Sequence, residues 1–374
     1  MPRERDKIEV FEGQVLESAL LSDDGATVLC KAGTIMTPDL IRRLSNWVVK
    51  IEPGKKKAEE EDAAPAHRVN RDEILRRLEF EEIVSQKTRE HAEKTQGEFF
   101  DKVQGGREAL SLDAIEDAVA AMVEETPDDP DVPLKLFEMK QHSSYMYQHC
   151  MQCGVMGSFV ATNLKYPYKD VMGFAMALMV HDIGILTVPE QVLTKKSGLT
   201  DEEWAMIRGH CERGFEVLKK VLGIDPLALM VCMGHHMYAD GSGYPEGVEF
   251  NDLPPLVHLA VIINDFETLT AEYQSFKRAA NLHDAMAILL RNRHRYQPAA
   301  LEQFVRVVGF FPITTFVELD TGETGVVTRN NPDNLFLPEI KLVLDPSGAE
   351  YKKEIIVNLL EESDRRITGV RSDL

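Results

Sequence analysis

Apolar positions recur at helical spacing through most of the chain, and the pattern changes near the C-terminus. From about residue 70 to 125, long charged faces such as that in Glu73 to Leu78 predict a pair of connecting or dimerising helices. From Pro133 to about Phe310, apolar stretches separated by short loops predict a series of packed helices. One of them is predicted to begin at Asp201, with Thr200 as its cap and Glu203 completing a capping box. After Pro312, β-branched runs separated by Gly, Asn and Pro predict a small β-rich unit.

The segment before these helices has another character. Residues 7–52 contain predicted strands at 8–10, 27–29 and 47–51 and a short helix at 38–44. Residues 55–68 combine a lysine block, an acidic block and an Ala-Pro segment, and they have almost no apolar side chain to bury. The sequence therefore predicts a mainly α protein, a helical bundle with small α/β or β-rich modules at the N- and C-termini. The predicted divisions are an N-terminal mixed module at 1–54, a linker at 55–68, connecting helices at 69–130, the helical domain at 131–310 and a β-rich module at 311–374.

Composition limits the kind of protein. The 374 residues are 44% hydrophobic and 28% charged, as expected of a globular protein with room for two or three domains. The apolar run from Val171 to Val180 is about half of what a bilayer span needs, and no signal peptide opens the chain. The five scattered cysteines do not suggest a disulfide framework. We therefore expect a cytoplasmic location and no membrane partner.

The net charge is -20, from 42 basic and 62 acidic residues. A chain this acidic is not expected to bind polymeric DNA or RNA through a basic face. Any phosphate-bearing substrate would need local cations, and bound metal ions could supply them.

Four of the eleven histidines fall between positions 181 and 236, together with an acidic partner. His181-Asp182 and His235-His236 each follow an apolar stretch, where polar side chains are costly to bury without partners. A single buried histidine is usually a core residue, but this set has the imidazole and carboxylate donors that suit iron, manganese or zinc. An adjacent His-Asp pair can give one metal a nitrogen while the carboxylate bridges to a second metal.

Glu138 and His142 are four positions apart on a predicted helix. Their side chains would project from one face and could converge on an ion. The alternative is an ordinary solvated helix face.

The region from about 133 to 310 resembles the HD-GYP family, a subset of the HD metal-dependent phosphohydrolases. Order, spacing and identity agree over about 180 residues. The matching text is His181-Asp182-Ile183-Gly184, Val188-Pro189-Glu190, Leu193, Leu199 to Trp204, His210, Gly214, Leu218, His235-His236 and Asp240 to Pro245.

This resemblance implies an HD-type helical bundle that hydrolyses cyclic di-GMP with two or three transition-metal ions, iron first and manganese as the alternative. It implies His181 and Asp182 as catalytic residues, with Asp182 as the bridge. The implied metal ligands are Glu138, His142, His181, Asp182, His210, His235, His236 and Asn264. The implied substrate-binding residues are Gly241, Gly243 and Tyr244 in a rim loop, with Lys195 and Lys277. Expected partners are cyclic di-GMP and a second copy or a signalling protein bound through the flanking modules.

The chain departs from the family pattern where the family contacts phosphate or metal. A family lysine is replaced by Ile185, a metal-binding aspartate by Asn264 and a later arginine by Tyr273. Asp265 is one step, or about 100°, away on a helix and cannot simply replace Asn264. Two other family positions, an aspartate and an arginine, are Glu267 and His258.

These departures leave two alternatives to a cyclic di-GMP phosphodiesterase. One is a weak or inactive receptor that binds a cyclic dinucleotide and signals through partners. The other is a phosphohydrolase of a different nucleotide, such as a mixed cyclic dinucleotide. The product, linear dinucleotide or GMP, stays open. Cys150 and Cys153 are expected to pack rather than react, and Cys211 beside His210 is a further thiolate candidate.

Overall fold

The computed structural model describes residues 20–22, 28–30, 49–51, 71–78, 80, 82–106, 110–133, 145–195, 198–247, 249–271, 280–362 and 364–371. Several sequence predictions fall outside these ranges: the strand at 8–10, the short helix at 38–44, the linker at 55–68, and the side chains of Glu138, His142, Tyr273 and Lys277.

The described part of the chain is mainly helical, as predicted. Twelve described segments form α-helices: α1 Arg71–Arg77, α2 Gln86–Gln104, α3 Asp113–Glu125, α4 Tyr145–Asn163, α5 Tyr168–Val180, α6 Glu190–Leu193, α7 Asp201–Arg208, α8 His210–Leu218, α9 Pro226–Gly234, α10 Pro255–Thr270, α11 Leu282–Arg291 and α12 Pro298–Val308. Short 3-10 turns cover Ile183–Thr187, Phe250–Asp252 and Arg293–Arg295.

Helix α5 lies at the centre of the bundle because its sequence is apolar on every side. From Phe174 to Val180 each of its residues is buried, and it packs against α3, α4 and α9. The segment Tyr168–Thr187 is long and apolar enough to cross a bilayer by length and composition alone, but 61% of its apolar window is buried inside the domain. Helix packing accounts for that composition.

Helix α10 is the second buried helix. It begins with Pro255 at its first position, where the missing N–H is not needed, and it packs against α4, α9, α11 and α12. Asn264 and Glu267 lie on its buried face. Polar groups buried at this depth require partners inside the protein.

The join between α7 and α8 follows local sequence rules. Thr200 caps α7 and forms the predicted capping box with Glu203. A single residue, Gly209, then separates α7 from α8, so that His210 is the first residue of α8. The 3-10 turn Ile183–Thr187, which follows Asp182, packs against α8.

Gly184 makes that contact possible. A Cβ atom at this position would lie 1.9 Å from the carbonyl oxygen of His210 and 2.6 Å from the nitrogen of Gly214. The turn after Asp182 and the start of α8 therefore touch backbone to backbone, which brings Asp182 next to His210.

The C-terminal module is an antiparallel sheet with strand order β7-β6-β5-β4-β8. Its strands are β4 Phe316–Leu319, β5 Thr324–Arg329, β6 Glu339–Leu344, β7 Ile356–Asn358 and β8 Ile367–Val370. The first three match the predicted β-rich runs, and the two short edge strands were not predicted. The sheet is tied to the helical domain by Asp131, which accepts bonds from Arg329 Nε at 2.8 Å and Asn330 N at 2.9 Å.

A separate compact unit contains residues 1–68 and 194–199. Its described strands are β1 Leu20–Ser22, β2 Val28–Cys30 and β3 Val49–Ile51, which form an antiparallel sheet in the order β2-β1-β3. The second and third match predicted strands.

Substitution Gly184→Ala should destabilise the protein by about 2–3 kcal/mol, because the added methyl group must push α8 away from the turn. The same displacement should lower metal content. Chemical denaturation and elemental analysis of the purified variant test both effects.

Gly97→Ala is the matched control. Gly97 lies within α2, and a Cβ atom there has nothing within 4 Å, so the substitution should stabilise the helix by up to about 1 kcal/mol. A Gly184→Ala protein as stable as the wild type would contradict the close backbone contact.

Candidate metal centre

Four helices deliver the clustered histidine and carboxylate side chains to one point in the bundle. They are His149 from α4, His181 and Asp182 directly after α5, His210 at the start of α8, and His235 and His236 directly after α9. Helix α10 adds Asn264 and Glu267 from the side of α4. The site is assembled from residues that are far apart in the chain, at the ends of apolar helices.

The carboxylate of Asp182 lies between two groups of imidazoles. Its Oδ1 atom is 3.0 Å from His210 Nε2 and 3.2 Å from His235 Nε2. Its Oδ2 atom is 3.6 Å from His149 Nε2 and 3.7 Å from His181 Nε2. Each oxygen therefore faces a different pair of nitrogens, so the one carboxylate could serve two adjacent ions.

Backbone carbonyls fix the tautomers of three histidines. The Nδ1–H of His181 donates to Leu178 O at 2.6 Å, that of His210 to Ile207 O at 2.8 Å, and that of His235 to Val231 O and Cys232 O at 3.0 Å. With the proton on Nδ1, each Nε2 presents a lone pair to the centre of the site. Histidine ligands in metal sites are oriented by the same kind of bond.

His149 was not identified from the sequence, where His142 was taken as the upstream ligand. His149 is buried, and its Nδ1 bonds to the carboxylate of Glu267. Its Nε2 lies 3.2 Å from His181 Nε2 and 3.0 Å from Asn264 Oδ1. The sequence feature that could have identified His149 is its position on an apolar helix, together with a glutamate on the buried face of α10. His142 itself lies outside the described residues.

The donor set fits cations. Nε2 atoms face each other at 3.0 Å between His210 and His235, and at 3.2 Å between His149 and His181. Two nitrogens that both carry lone pairs cannot hydrogen-bond to each other, and at this spacing they repel. Asp182 Oδ1 is also buried without a hydrogen-bond partner of good geometry among the described residues. A positive ion within each group satisfies all of these acceptors.

The pKa shifts in the cluster favour the protonation states in which these side chains can bind a metal ion. Burial lowers the pKa of His181 to about 3, with the neighbouring His235 and His149 acting in the same direction. Burial also lowers the pKa of His235 and, more strongly, of His236. Burial alone would raise the pKa of Asp182, but the adjacent His181 and His210 hold it well below its usual value. Near neutral pH His181, His235 and His236 are therefore neutral imidazoles, and Asp182 is a carboxylate.

The loop predicted at the rim of the site lies beside His236. The ring of Tyr244 stacks on that of His236, with centroids 4.6 Å apart and planes at 28°. A Cβ atom on Gly243 would lie 2.2 Å from the carbonyl oxygen of His236, so this glycine lets the loop pack on its own histidine segment rather than on a ligand. Gly241 has a φ of +74°, which favours glycine at that turn.

Asp265 points away from the cluster, as its helical position predicts. Its two carboxylate oxygens accept bonds from Tyr238 at 2.9 Å and Tyr296 at 2.8 Å. Burial raises the pKa of Asp265, although the nearby Arg295 and both tyrosines oppose the shift. Its role is to attach the loop after His236 to α10 and to the turn after α11.

The cysteines near the cluster are buried thiols. Cys211 Sγ is 3.5 Å from His210 Nε2, and Cys153 Sγ is 3.9 Å from both ring nitrogens of His149. Burial raises the pKa of Cys153 to about 11 and that of Cys211 further. Both residues pack as neutral side chains around the imidazoles, as expected for Cys153.

The structure shows the surroundings of Ile185 and His258, which replace a lysine and an arginine of the family pattern. Ile185 is half-buried in the turn after Asp182, and His258 packs its ring against Phe250 at 4.4 Å. Lys195 belongs to the separate N-terminal unit. Its predicted role, like that of Lys277, stays a prediction.

Comparison with known proteins finds two family models and several curated relatives that match parts of this chain. A family model described as an HD domain matches residues 137–300, and one described as a KOW domain associated with HD domain matches residues 316–372. A Pseudomonas aeruginosa protein named as a cyclic di-GMP phosphodiesterase is 28% identical over 213 residues, covering 57% of this chain and 51% of that protein. A Vibrio cholerae protein named as a 3'3'-cGAMP-specific phosphodiesterase is 29% identical over 152 residues, covering 41% of this chain and 33% of that protein.

Among solved structures, a protein described as an HDG"Y"P protein from Bdellovibrio bacteriovorus matches with a TM-score of 0.47 and 15% identity, over 79% of this chain and 97% of that one. This chain spans about half or less of the length of the two curated relatives. Residues 137–300 therefore form a region similar to known HD domains, and the curated relatives that this chain matches are named as cyclic dinucleotide phosphodiesterases.

Proposed function

We propose that this protein is a metal-dependent phosphodiesterase that hydrolyses cyclic di-GMP. The observation that carries the proposal is the position of Asp182 between two groups of inward-facing Nε2 atoms. Such a centre is suited to hold two adjacent ions that share one carboxylate.

In this proposal the first group consists of Asp182, His210, His235 and His236. The second consists of Asp182, His149, His181 and Asn264. When bound, a pair of transition-metal ions would lower the pKa of a water molecule and neutralise charge that develops on the phosphate. Iron is the metal we expect, with manganese as the alternative. A third ion held by Glu138 stays a prediction because that residue lies outside the described ranges.

The imidazoles of the cluster then act as ligands rather than as proton carriers. The Nδ1 atoms of His181, His210 and His235 donate to backbone carbonyls, and their Nε2 lone pairs would bind the ions. The carboxylate of Glu267 orients His149 in the same way, through a hydrogen bond with its Nδ1 atom. These contacts hold the donor atoms in place, so the site does not have to rearrange during the reaction.

Tyr244 is the part of this site that faces the substrate. Its ring covers one face of His236 and forms a flat apolar surface next to the first group of donors. A base or sugar of the dinucleotide can rest on such a surface. The substrate stays a choice between cyclic di-GMP and a mixed cyclic dinucleotide, since relatives are named for each. The product is the linear dinucleotide or GMP.

The second candidate function is a receptor that binds the cyclic dinucleotide and turns it over slowly or not at all. Asn264 favours it, since a neutral amide oxygen lies 3.0 Å from His149 Nε2 where the family has a carboxylate. A neutral ligand binds a cation less tightly and offsets less of its charge. Ile185 also removes a cation expected to contact phosphate.

Asp182→Ala should remove most of the bound metal, because it takes away the oxygens shared by both groups. Anaerobically purified wild-type protein should contain about two or more transition-metal ions per chain by elemental analysis, as two adjacent donor groups imply. His149→Ala should lose about one ion, because it removes only a second-group ligand.

His91→Ala is the matched control, since His91 is an exposed histidine on α2. It should leave the metal content unchanged. Wild-type protein without metal, or a His149→Ala variant with a full complement, would refute the assignment.

Asn264→Asp should raise both the metal occupancy and the rate of cyclic di-GMP hydrolysis, the rate by about tenfold, because the ion gains a charged ligand. Ile185→Lys should separately lower the KM for the same substrate. Both are measured with iron or manganese present, and with 3'3'-cGAMP as the second substrate. If neither change has an effect and the wild type hydrolyses neither dinucleotide, the receptor function replaces the enzyme.

The metal-free protein should lose stability as the pH falls from about 7 to 5. In this window the unfolded histidines bind protons, whereas folded His181, with a pKa of about 3, stays neutral, so protons favour the unfolded state. The contribution of His181 approaches about 1.4 kcal/mol per pH unit below pH 6.5. Urea denaturation in the presence of a chelator measures the slope. His181→Gln should show a shallower slope, and an unchanged slope would contradict the neutral buried state.

A further inference from the structure

The acidic chain must bind two phosphates when it binds a cyclic dinucleotide. On the proposed function, the metal ions take the phosphate that is cleaved, and the second phosphate needs another cation. The family lysine that would help is Ile185 here. A basic side chain at the rim of the metal centre could supply it.

Arg208 lies at that rim. Its guanidinium carbon is 5.9 Å from the ring centroid of Tyr244, which in turn stacks on His236 at 4.6 Å. The same carbon is 5.9 Å from the ring of Trp204, one turn earlier on α7. The cation is thus positioned by two aromatic rings, and one of them touches a proposed metal ligand.

The backbone also fixes Arg208 relative to the metal centre. It is the last residue of α7, and only Gly209 separates it from His210, the first residue of α8. A proposed ligand and a cation therefore share one rigid helix junction. Gly184 holds this junction against the turn that follows Asp182.

The other arginines near this loop are engaged elsewhere. Arg213 donates to the hydroxyl of Thr187 and to the carbonyl of Met206. Arg295 lies 3.7 Å above the ring of Tyr238, on the side of the loop where Asp240 and Asp265 lie. Arg208 is exposed, and the contacts of its guanidinium group with described residues are those with the rings of Trp204 and Tyr244. Its charge is available to a ligand.

We propose that Arg208 binds the second, uncleaved phosphate of the cyclic dinucleotide across the face of Tyr244. A guanidinium group can offer two parallel N–H bonds to a phosphate and remain over an aromatic ring. In this chain it takes over the role of the lysine that is missing at position 185. Arg208 is a substrate-binding residue and takes no part in bond breaking.

The test compares the hydrolysis of a substrate that has two phosphates with that of a substrate that has one. Arg208→Ala should raise the KM for cyclic di-GMP about 10- to 100-fold, the effect of losing a charge-assisted hydrogen bond, and change kcat by less than about threefold. Hydrolysis of bis(p-nitrophenyl) phosphate, which has only the phosphate that is cleaved, should be unchanged. Arg208→Lys should recover part of the affinity, because it keeps the charge and loses the paired geometry.

Two control variants remove a positive charge elsewhere. Lys169 is exposed near the start of α5, twelve positions before His181 and so about 18 Å from it along the helix axis. Lys169→Ala should leave both reactions unchanged. Arg293 is exposed in the 3-10 turn on the Asp240 side of the loop. If Arg293→Ala weakens cyclic di-GMP binding and Arg208→Ala does not, the proposal is overturned.

Equal losses on both substrates would show a structural role for Arg208 and overturn the proposal. If the wild type hydrolyses neither substrate, the proposed enzyme function has failed, and Arg208 is then judged by calorimetric titration of cyclic di-GMP into metal-loaded protein. Weaker binding by Arg208→Ala, with Lys169→Ala unchanged, supports the proposal. Equal binding by all variants, or no binding by the wild type, overturns it.

Discussion

The repulsion between inward-facing lone pairs is the constraint on which the bundle depends. Asp182 and the surrounding histidines place acceptors 3.0–3.7 Å apart in a buried space. In water such groups would be solvated separately. Inside the protein they need a cation, or they destabilise the packing of every helix that carries them. Metal binding and folding are therefore coupled in this domain.

The scaffold solves a problem of placement. Each polar donor lies at a helix end or on a buried helix face, so its apolar neighbours can fill the core while the polar group reaches the centre. Carbonyls in the last turns of the preceding helices, those of Leu178 and Cys232, accept the Nδ1 protons of His181 and His235. The same hydrogen bond thus satisfies a carbonyl group at the helix end and orients the imidazole. Gly184 and Gly243 supply the close backbone contacts that the arrangement requires.

Charge is the second constraint on function. With a net charge of -20, the protein attracts cations to the metal centre but repels an anionic ligand at longer range. Bound ions at the centre and Arg208 at its rim would form a local positive region within an acidic surface. Such an arrangement would favour a compact, doubly charged ligand, and the absence of a polymeric nucleic acid partner stays a prediction.

Much of the architecture was predictable because it depends on local pattern. The apolar stretch before His181-Asp182, the capping box at Thr200 and the β-branched runs at 316–319, 324–329 and 339–344 each have a short-range cause. The spacing of His181, Asp182, His210, His235 and His236 was enough to predict a common centre, and the structure brings these side chains together. The edge strands β7 and β8 were missed because they are short and lack alternation.

The sequence by itself determined which donors exist and that they follow apolar helices. Only the tertiary structure decided which donors meet. His149 joins the cluster because α4 packs against α10, which places its Nδ1 on Glu267 and its Nε2 beside Asn264. Arg208 reaches Tyr244 because α7 and α8 meet at Gly209. The sequence separation of these residues does not predict either contact, because helix packing is set by side-chain shape over the whole core.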